Sequence, residues 1–313
     1  AARGERLLVE QPKYMGSRCH ALVFRDEAAA SRAGRPPLTA ISRIGLPFFG
    51  EPETHELWLG VKSQIKFDPG VDFVVLDAEA LPWSVKAGGE RGLIARQFLA
   101  PGQAAKLHAE LTGQPTENAE RFLEALSWFA GESATELRAF DVLAYGSVGE
   151  RGKYKTRFLA EETLARRVTW LEDHVGGDSG PLRRSEWARV DLDDPASRIS
   201  SVRRWEEYTS AGRGEGHVYK PSTGRADLQP ALKVRGREYL RLVYGIDYLE
   251  PAAFARLTAR ATAGKRRVAL LEAALGKRVL QTFFRGMRAE HKRVVAGFLG
   301  ADGEARAQLD ATL

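Results

Sequence analysis

KYMGSR runs from Lys13 to Arg18, between two runs that are typical of β-strands, residues 7–12 and 19–25. Lys13 therefore stands at the end of a strand, Gly16 provides a tight turn, and Arg18 opens the next strand. A turn of this kind brings backbone N–H groups and two cations together around a small anion. Taken alone, the segment is equally consistent with an exposed lysine in an ordinary turn, so its interpretation depends on the rest of the chain.

Five further segments place charged or aromatic side chains at predicted strands or turns. They are SRIG with Arg43, LDAE with Asp77 and Glu79, FDVL with Phe140, EGHVYK with Glu215 and Lys220, and LKVR with Lys233 and Arg235. The two carboxylates of LDAE end an apolar run, where their burial is costly unless they are paired or bound to a metal. Lys233 and Arg235 are expected to share one face of a strand, because strand side chains two residues apart point the same way.

The order of the predicted elements favours an α+β fold over a doubly wound parallel sheet. The strand-like runs after the first two are 73–78, 140–144, 216–220, 232–235 and Tyr239–Tyr244. Helical spacing is predicted for 90–130, 159–174, 195–210 and most of the chain after Pro251. We therefore predict two units, residues 1–247 with a helical insert near 90–135, and a helical module at 248–313.

The composition is that of a globular protein with a basic surface. Of the 313 residues 43% are hydrophobic and the formal net charge is +6, which permits a polyanionic partner such as nucleic acid without specifying one. No apolar run is long enough to span a bilayer, and the first residues lack the pattern of a signal peptide. The single cysteine, Cys19, excludes an internal disulfide and suits the cytoplasm, and its apolar neighbours favour an inert core thiol.

Two other kinds of site are excluded by residue spacing. GSVGERGKY, from Gly146 to Tyr154, is similar to a phosphate loop, but Tyr154 stands where such a loop needs serine or threonine. The 6 histidines are scattered along the chain without the spacing of zinc ligands. We therefore predict neither a kinase module nor a zinc site within these residues, and we find none of the His/Asp clusters of a metallophosphatase.

In their order along the chain, the charged segments resemble the covalent nucleotidyltransferase superfamily of ligases and capping enzymes. Within it, the chain is most similar to the ligase (adenylyltransferase) domain of bacterial polynucleotide kinase-phosphatase (Pnkp), over nearly its whole length. The strings that carry the resemblance are KYMGSR, LDAEALPW, WEEYTSAGRGEGHVYKP and KVRGREYLRLVYG. The last is the most diagnostic, because most ligases end this motif in two lysines and do not continue with GREYLR. Met15 stands where the general motif has aspartate, and it supports the Pnkp branch.

The resemblance implies a role for each of the selected residues. Lys13 is expected to be the nucleophile that forms lysyl-AMP, and Glu215 and Lys233 are expected to complete the catalytic set. Glu79 and Glu215 are expected to hold Mg²⁺ or Mn²⁺, and Glu79 also lies near the ribose. The remaining residues are expected to bind the nucleotide, with Arg18 and Arg43 near the ribose or the RNA end, Phe140 at the adenine, and Lys220, Lys233 and Arg235 at the phosphates.

The resemblance also implies the fold, the activity and the partners. The fold is α+β: a covalent nucleotidyltransferase (ATP-grasp-like ligase adenylation) domain of antiparallel sheets with a helical insert, and a C-terminal helical module. The activity is that of an ATP-dependent RNA ligase of RNA repair, which passes AMP from ATP to a 5′-phosphate RNA end before the 3′-hydroxyl seals the break. The implied partners are such RNA ends, the kinase and phosphatase domains of the parent chain, and an RNA 3′-terminal ribose methyltransferase.

The residue types suit this chemistry independently of the resemblance. A free lysine is protonated at neutral pH and is a poor nucleophile, whereas burial and neighbouring cations favour the neutral amine. Attack on the α-phosphorus of ATP places charge on the phosphate oxygens, which cations and a divalent metal stabilise.

Two alternatives remain at this point. The first is another enzyme of the superfamily, a DNA ligase or an mRNA capping guanylyltransferase, in which an OB-fold domain usually follows the last motif. The helical pattern after Pro251 counts against it. The second is a non-catalytic RNA-binding module that keeps the fold without the chemistry, which the full set of Lys13, Glu79, Glu215 and Lys233 disfavours.

Overall fold

The structure is a computed structural model of the chain. It describes residues 5–42, 45, 47–81, 93–129, 135–159, 162–176, 179–210, 214–223, 231–259, 263–284, 289–297 and 300. Within these ranges the chain forms two β-sheets surrounded by helices. This arrangement confirms the predicted α+β class.

The strands of the described residues are, in chain order, β1 (Leu7–Lys13), β2 (Ser17–Phe24), β3 (Leu38–Ser42), β4 (Phe73–Leu81), β5 (Glu136–Val148), β6 (Tyr154–Phe158), β7 (Leu182–Arg184), β8 (Ala188–Asp191), β9 (Gly216–Pro221) and β10 (Leu232–Arg235). A four-stranded sheet has the order β10-β9-β1-β8. A six-stranded sheet has the order β3-β2-β4-β5-β6, with β7 paired to β5. The described pairs are antiparallel, as predicted, except that β7 runs parallel to β5.

The helices are α1 (Glu27–Ala33), α2 (Glu51–Ser63), α3 (Leu93–Thr112), α4 (Glu117–Phe129), α5 (Leu164–His174), α6 (Pro195–Thr209), α7 (Arg237–Tyr244), α8 (Pro251–Thr258) and α9 (Ala263–Phe284). Residues 289–297 are also helical, and Glu150–Gly152 form a short 3-10 turn. The helices predicted for 90–130, 159–174, 195–210 and the chain after Pro251 are therefore present. None of the described helices combines the length and the apolar character that crossing a bilayer requires.

The strand predicted at Tyr239–Tyr244 is wrong, because this segment is helix α7. Its aromatic and branched residues suggested a strand, but Gly236 and Gly245 bracket one helix of two turns. Glu238 and Arg241 form an ion pair of 3.1 Å at the i, i+3 spacing of a helix. Packing outweighs the weak local preference for strand here.

The six-stranded sheet carries a hydrophobic core on each face. On one face Cys19 and Leu76 join Trp58 of α2, and Cys19 is fully buried, as the sequence predicted. On the other face Phe24 and Phe73 pack against α1, and their neighbours towards the carboxyl end of β4 are polar. This change from apolar to polar side chains along one face marks where the sheet stops being core and begins to line a cleft.

The helical insert packs against the helix that follows β10. Phe122 and Leu126 of α4 form a small core with Leu242 of α7, which follows β10 directly. Leu107 and Leu111 of α3 are exposed. The division into units at 247 and 248 stays a prediction.

Candidate active site

Three strands of the four-stranded sheet carry the candidate cations on a single face. Lys13 of β1 lies opposite Gly216 of β9, and Gly216 lies opposite Arg235 of β10. Along the same face, Lys233 of β10 lies opposite Val218. Directly paired residues of antiparallel strands share a face, and so do residues two apart within a strand. The face therefore collects positive charge from segments that are distant in sequence.

A glycine allows β9 and β10 to approach closely. Gly216 has a φ of 142°, a conformation that residues with a side chain rarely adopt, and a Cβ atom there would lie 2.1 Å from the carbonyl oxygen of Val234. Gly236 donates its N–H to the carbonyl oxygen of Glu215 at 2.9 Å and fastens the ends of the two strands. Together these contacts fix Arg235 beside the start of β9.

Glu215 comes just before β9 and joins Lys13 to the other cations. Its Oε1 lies 2.5 Å from Lys13 Nζ and 3.2 Å from Arg235 Nε. The Glu215 side chain is 1% exposed and that of Lys13 is 17% exposed, so solvent screens this ion pair little. Burial and the Glu215 carboxylate raise the pKa of the neighbouring Tyr239 phenol. The Lys13 amine is thus held in place by a buried carboxylate.

The six-stranded sheet provides the opposite wall of the cleft. Arg18 of β2 lies opposite Glu79 of β4, and His20 lies opposite Asp77, so these side chains share one face. Arg18 donates two hydrogen bonds to the carboxylate of Asp77, at 2.9 and 2.5 Å. Burial raises the pKa of Asp77, but Arg18, His20 and Lys220 together outweigh burial and keep that pKa below its usual value.

The turn after Lys13 packs directly against β4. A Cβ atom at Gly16 would lie 2.5 Å from the carbonyl oxygen of Ala80 and 2.6 Å from Cγ of Glu79. A side chain at this position would push the turn away from the strand. The tight turn predicted from KYMGSR is therefore present, and it brings the end of β1 beside Glu79.

The carboxyl group of Glu79 has a raised pKa, although the site contains several cations. Burial raises its pKa to about 7, Lys13 opposes that rise, and the negative charge of Glu215 adds to it. No hydrogen bond to the Glu79 carboxyl is present among the described residues. Glu79 and Glu215 are therefore two neighbouring carboxylates beside the Lys13 amine.

Phe140 lies between the two walls. It is the extra residue of a β-bulge in β5, because Ala139 pairs with Ala78 whereas Asp141 pairs with Asp77. Its ring centroid is 4.1 Å from Lys220 Nζ. The bulge therefore turns an aromatic ring towards a cation of the opposite sheet.

Gln11 connects the same two walls and was not selected from the sequence. It donates to the carbonyl oxygen of Phe140 at 2.9 Å and accepts from Lys220 Nζ at 2.8 Å. Burial lowers the pKa of Lys220 to about 8, although Asp141 and Asp77 counteract this effect. Lys220 is consequently a cation that titrates near neutral pH.

A polar network supports β1 and β9 from behind and was also missed in the sequence. Glu10 is buried, lies 2.6 Å from Nδ1 of His217, and accepts a hydrogen bond of 2.5 Å from Arg204 of α6. Tyr208 of α6 packs on His217 with ring centroids 5.2 Å apart. Glu10 and His217 lie in the segments EQPK and GHVYK, but only the pairing of β1 with β9 shows which face of the sheet they occupy.

Most of the selected residues lie in this one cleft, namely Lys13, Arg18, Glu79, Phe140, Glu215, Lys220, Lys233 and Arg235. Desolvation and the nearby Lys13 and Arg235 lower the pKa of Lys233, which places it in the same electrostatic environment. Arg43 lies outside the described residues. The described residues contain no cluster of three or more side chains suited to a metal.

A family model described as the PNKP adenylyltransferase domain, ligase domain, matches residues 1–145 and 116–301. The chain belongs to this family. It is therefore an enzyme, an ATP-dependent RNA ligase of the adenylyltransferase type, whose role is in RNA repair. No protein of curated function matches the chain.

Two solved structures agree with the family in fold. A chain in the structure of a Pnkp1/Rnl/Hen1 complex is similar with a TM-score of 0.74 and 21% identity, covering 99% of this chain and 87% of that chain. A chain in the structure of the Pnkp1/Rnl/Hen1 RNA repair complex gives a TM-score of 0.69 and 19% identity, covering 97% of this chain and 86% of that chain. The likeness establishes a shared fold along almost the whole chain.

Proposed function

We propose that Lys13 is the residue of this adenylyltransferase that carries AMP. In the first step the neutral Lys13 amine attacks the α-phosphorus of ATP, a P–N bond forms, the nitrogen loses a proton, the bond to the β-phosphate breaks, and pyrophosphate leaves. In the second step a 5′-phosphate oxygen of RNA attacks the same phosphorus, the nitrogen takes up a proton, the P–N bond breaks, and Lys13 leaves as the amine. In the third step a 3′-hydroxyl attacks the 5′-phosphorus of the adenylylated RNA, loses its proton, and expels AMP.

One observation carries this proposal: the Lys13 amine lies where the two charged walls meet. Glu215 holds it at 2.5 Å, and Arg235 shares the same carboxylate oxygen. A phosphate that enters the cleft competes with the Glu215 carboxylate for Lys13 and Arg235, and the Lys13 amine can then leave its ion pair and attack. Positioning of this kind supplies much of the rate in phosphoryl transfer, since the reacting groups meet at a fixed geometry.

Glu79 and Glu215 are the residues that would hold Mg²⁺ or Mn²⁺. Magnesium is commonly bound by one or two carboxylates together with substrate phosphates, so two carboxylates suit it when ATP is present. The raised pKa of Glu79 reflects a buried carboxyl that lacks a positive partner close enough to offset burial. When bound, the metal would neutralise charge on the transferring phosphate.

The other residues bind the nucleotide in this proposal. Arg18 is oriented by Asp77 and contacts the ribose, and Phe140 stacks at the adenine. Lys220, Lys233 and Arg235 bind the phosphates. Arg43 is assigned to the ribose or the RNA end from its sequence position.

Incubation with labelled nucleotides tests the proposal. The chain should retain label from α-labelled ATP with Mg²⁺ or Mn²⁺ and none from γ-labelled ATP, and acid should release the label because a P–N bond is acid-labile. GTP should give no adduct, which separates this enzyme from a capping guanylyltransferase. Absence of any covalent adduct with either nucleotide would favour a non-catalytic RNA-binding module.

The partners follow from the family and its relatives. We propose that the chain acts on RNA with 5′-phosphate and 3′-hydroxyl ends, beside the kinase and phosphatase domains of a parent chain and an RNA 3′-terminal ribose methyltransferase. The related structures are of complexes named for Pnkp1, Rnl and Hen1, which supports action within an assembly. The single, buried and unpaired Cys19 thiol suits the cytoplasm of a bacterium.

Two pKa values predict a bell-shaped pH dependence of nucleotide affinity. Below pH 7 the Glu79 carboxyl gains a proton and holds the metal less well, and above pH 8 Lys220 loses its charge and holds phosphate less well. The affinity for a non-hydrolysable ATP analogue with Mg²⁺ should therefore be highest between about pH 7 and 8 and fall up to about tenfold per pH unit outside it. Calorimetric titration from pH 5.5 to 9.5 measures this.

Single variants identify which residue causes each limb of this pH profile. Glu79→Gln should remove the acid limb, since the amide does not titrate, and Lys220→Arg should remove the alkaline limb, since arginine stays charged. A profile that keeps both limbs in both variants would show that other groups control the binding.

A further inference from the structure

A row of charged side chains continues from the active site across the six-stranded sheet. Residues that lie opposite one another form a line on β2, β4, β5 and β7: Arg18, Glu79, Arg138 and Arg183. Because paired residues share a face, Arg138 and Arg183 lie on the same side of the sheet as the Lys13 cleft. With strands about 4.8 Å apart, the row extends roughly 10 Å beyond Glu79.

One carboxylate serves both outer arginines. Glu136 accepts a hydrogen bond from Arg138 at 2.7 Å, and its other oxygen lies 3.2 Å from Arg183 Nε. The side chains of Arg138, Glu136 and Arg183 are 21%, 18% and 38% exposed, so the group lies at the surface without being fully solvated. Two guanidinium groups therefore share the Glu136 carboxylate.

Both arginines have donors that the described residues leave unused. Nε of Arg138 and Nε of Arg183 are buried and have no hydrogen-bond partner among the described residues, and the approach of Arg183 to Glu136 lacks hydrogen-bond geometry. Leaving a buried donor unpaired is unfavourable, so both guanidinium groups keep hydrogen-bonding capacity that the described residues do not use.

The residue after Lys13 links this group to the catalytic lysine. The guanidinium of Arg138 lies 5.1 Å from the ring centroid of Tyr14, whose hydroxyl is 3.1 Å from Oγ of Ser185, just after β7. Tyr14 thereby connects the turn after β1, in the four-stranded sheet, with the end of β7, in the six-stranded sheet. The guanidinium groups are consequently anchored at a set distance from the Lys13 amine.

We propose that Arg138 and Arg183 form an arginine track that binds the phosphate backbone of the RNA strand bearing the 5′-phosphate. This inference rests on the function proposed for Lys13, because the 5′-phosphate must approach the phosphorus that Lys13 carries. The terminal phosphate then lies in the cleft. The following phosphates of that strand lie along the row, beyond Glu79 and over Arg138 and Arg183. Guanidinium groups with unused donors bind phosphate oxygens well. In the absence of RNA, the Glu136 carboxylate occupies the place between the two guanidinium groups that a phosphate would take.

Binding of a short 5′-phosphorylated single-stranded RNA by the full chain tests the track. The double variant Arg138→Met with Arg183→Met should lose at least about tenfold in affinity while still forming lysyl-AMP at the normal rate. Its plot of log affinity against log salt should be less steep by about 0.7 for each arginine removed. The matched control is Arg166→Met on α5, which removes an arginine that is 79% exposed and should change neither quantity by more than about twofold.

A second variant acts in the opposite direction and does not depend on the first one folding. Glu136→Gln removes the carboxylate that competes with RNA, so RNA affinity should rise several-fold and the salt dependence should steepen. RNA affinity and salt slope that stay at the wild-type values in both variants would overturn the track. Failure of the wild-type chain to form lysyl-AMP would instead refute the role of Lys13, and the RNA affinities would still decide whether the arginines bind RNA.

Discussion

Lys13→Ala is expected to abolish the covalent AMP adduct, with labelling by α-labelled ATP reduced at least about 10⁴-fold. The covalent step has no substitute once the attacking amine is absent, and loss of a nucleophile from a catalytic group is among the most damaging single changes in enzymes. Label retained on the protein after denaturation and gel separation measures the adduct. Transfer to 5′-phosphorylated RNA should disappear together with it.

Two controls separate loss of the nucleophile from loss of structure. Lys13→Arg keeps a cation beside Glu215 but stays protonated, so it should remain folded and should also fail to form the adduct. Lys155→Ala removes an exposed lysine of β6, at the far edge of the sheet, and should label normally. Substantial labelling of Lys13→Ala at another lysine would show that the nucleophile has been assigned wrongly.

Adenylylated RNA supplied directly offers a further check on the same residue. The third step does not use the Lys13 amine as a nucleophile, because AMP already sits on the RNA. Lys13→Ala should therefore seal a pre-adenylylated strand to a 3′-hydroxyl far better than it seals from ATP, in the assembly where sealing is measured. A variant that fails equally in both assays would point to a general defect of the cleft.

The elements that the sequence predicted are those with a strong local signal. KYMGSR contains its turn glycine, FVVLDA is apolar apart from Asp77, and LKVR alternates, so β1, β2, β4 and β10 were all placed within a few residues. Residues 27–63 were not assigned, and they hold α1, β3 and α2. The short strands β6, β7 and β8 were missed for a related reason: each has few residues, and partners that are distant in sequence stabilise it.

The candidate site shows the same limit. Lys13, Glu79, Glu215 and Lys233 were selected because of motifs, and their residue types suit nucleotidyl transfer. Gln11 could not be selected in this way, since a glutamine in a strand has no distinctive spacing. Its importance arises only when β1 and β9 pair and the two sheets face one another, which brings its amide between Lys220 and the Phe140 carbonyl. Motifs therefore identify the candidate reacting groups, whereas strand register determines which side chains lie beside them.

Register also explains why Arg138 had no signal in the sequence. Arg138, Glu79 and Arg18 are far apart along the chain, and they align because β5 pairs with β4 and β4 with β2. The bulge at Phe140 shifts the pairing between Ala139 and Asp141. Without that extra residue, the side chains of β5 beyond it would lie on the opposite face of the sheet.

Gly216→Ala is expected to damage both stability and activity, because the fold has no room for the added methyl group. Its Cβ atom would lie 2.1 Å from the Val234 oxygen, which is backbone and must move, and the residue would also be held at a φ of 142°. Strain and overpacking of this kind cost about 3 kcal/mol together. Displacing β10 moves Lys233 and Arg235 away from Lys13, so adduct formation should fall more than about 100-fold.

Gly276→Ala is the matched control for that substitution. It lies within α9, where no atom of the described residues outside the helix's own backbone lies within 4 Å of an added Cβ, so it should leave labelling unchanged and raise stability by about 0.5–1 kcal/mol. Denaturant unfolding gives the stability of each variant, and α-labelled ATP gives the activity. Normal labelling and stability of Gly216→Ala would mean that β9 and β10 are farther apart than the structure places them, and the shared cation face of Lys13, Lys233 and Arg235 would then need to be reassigned.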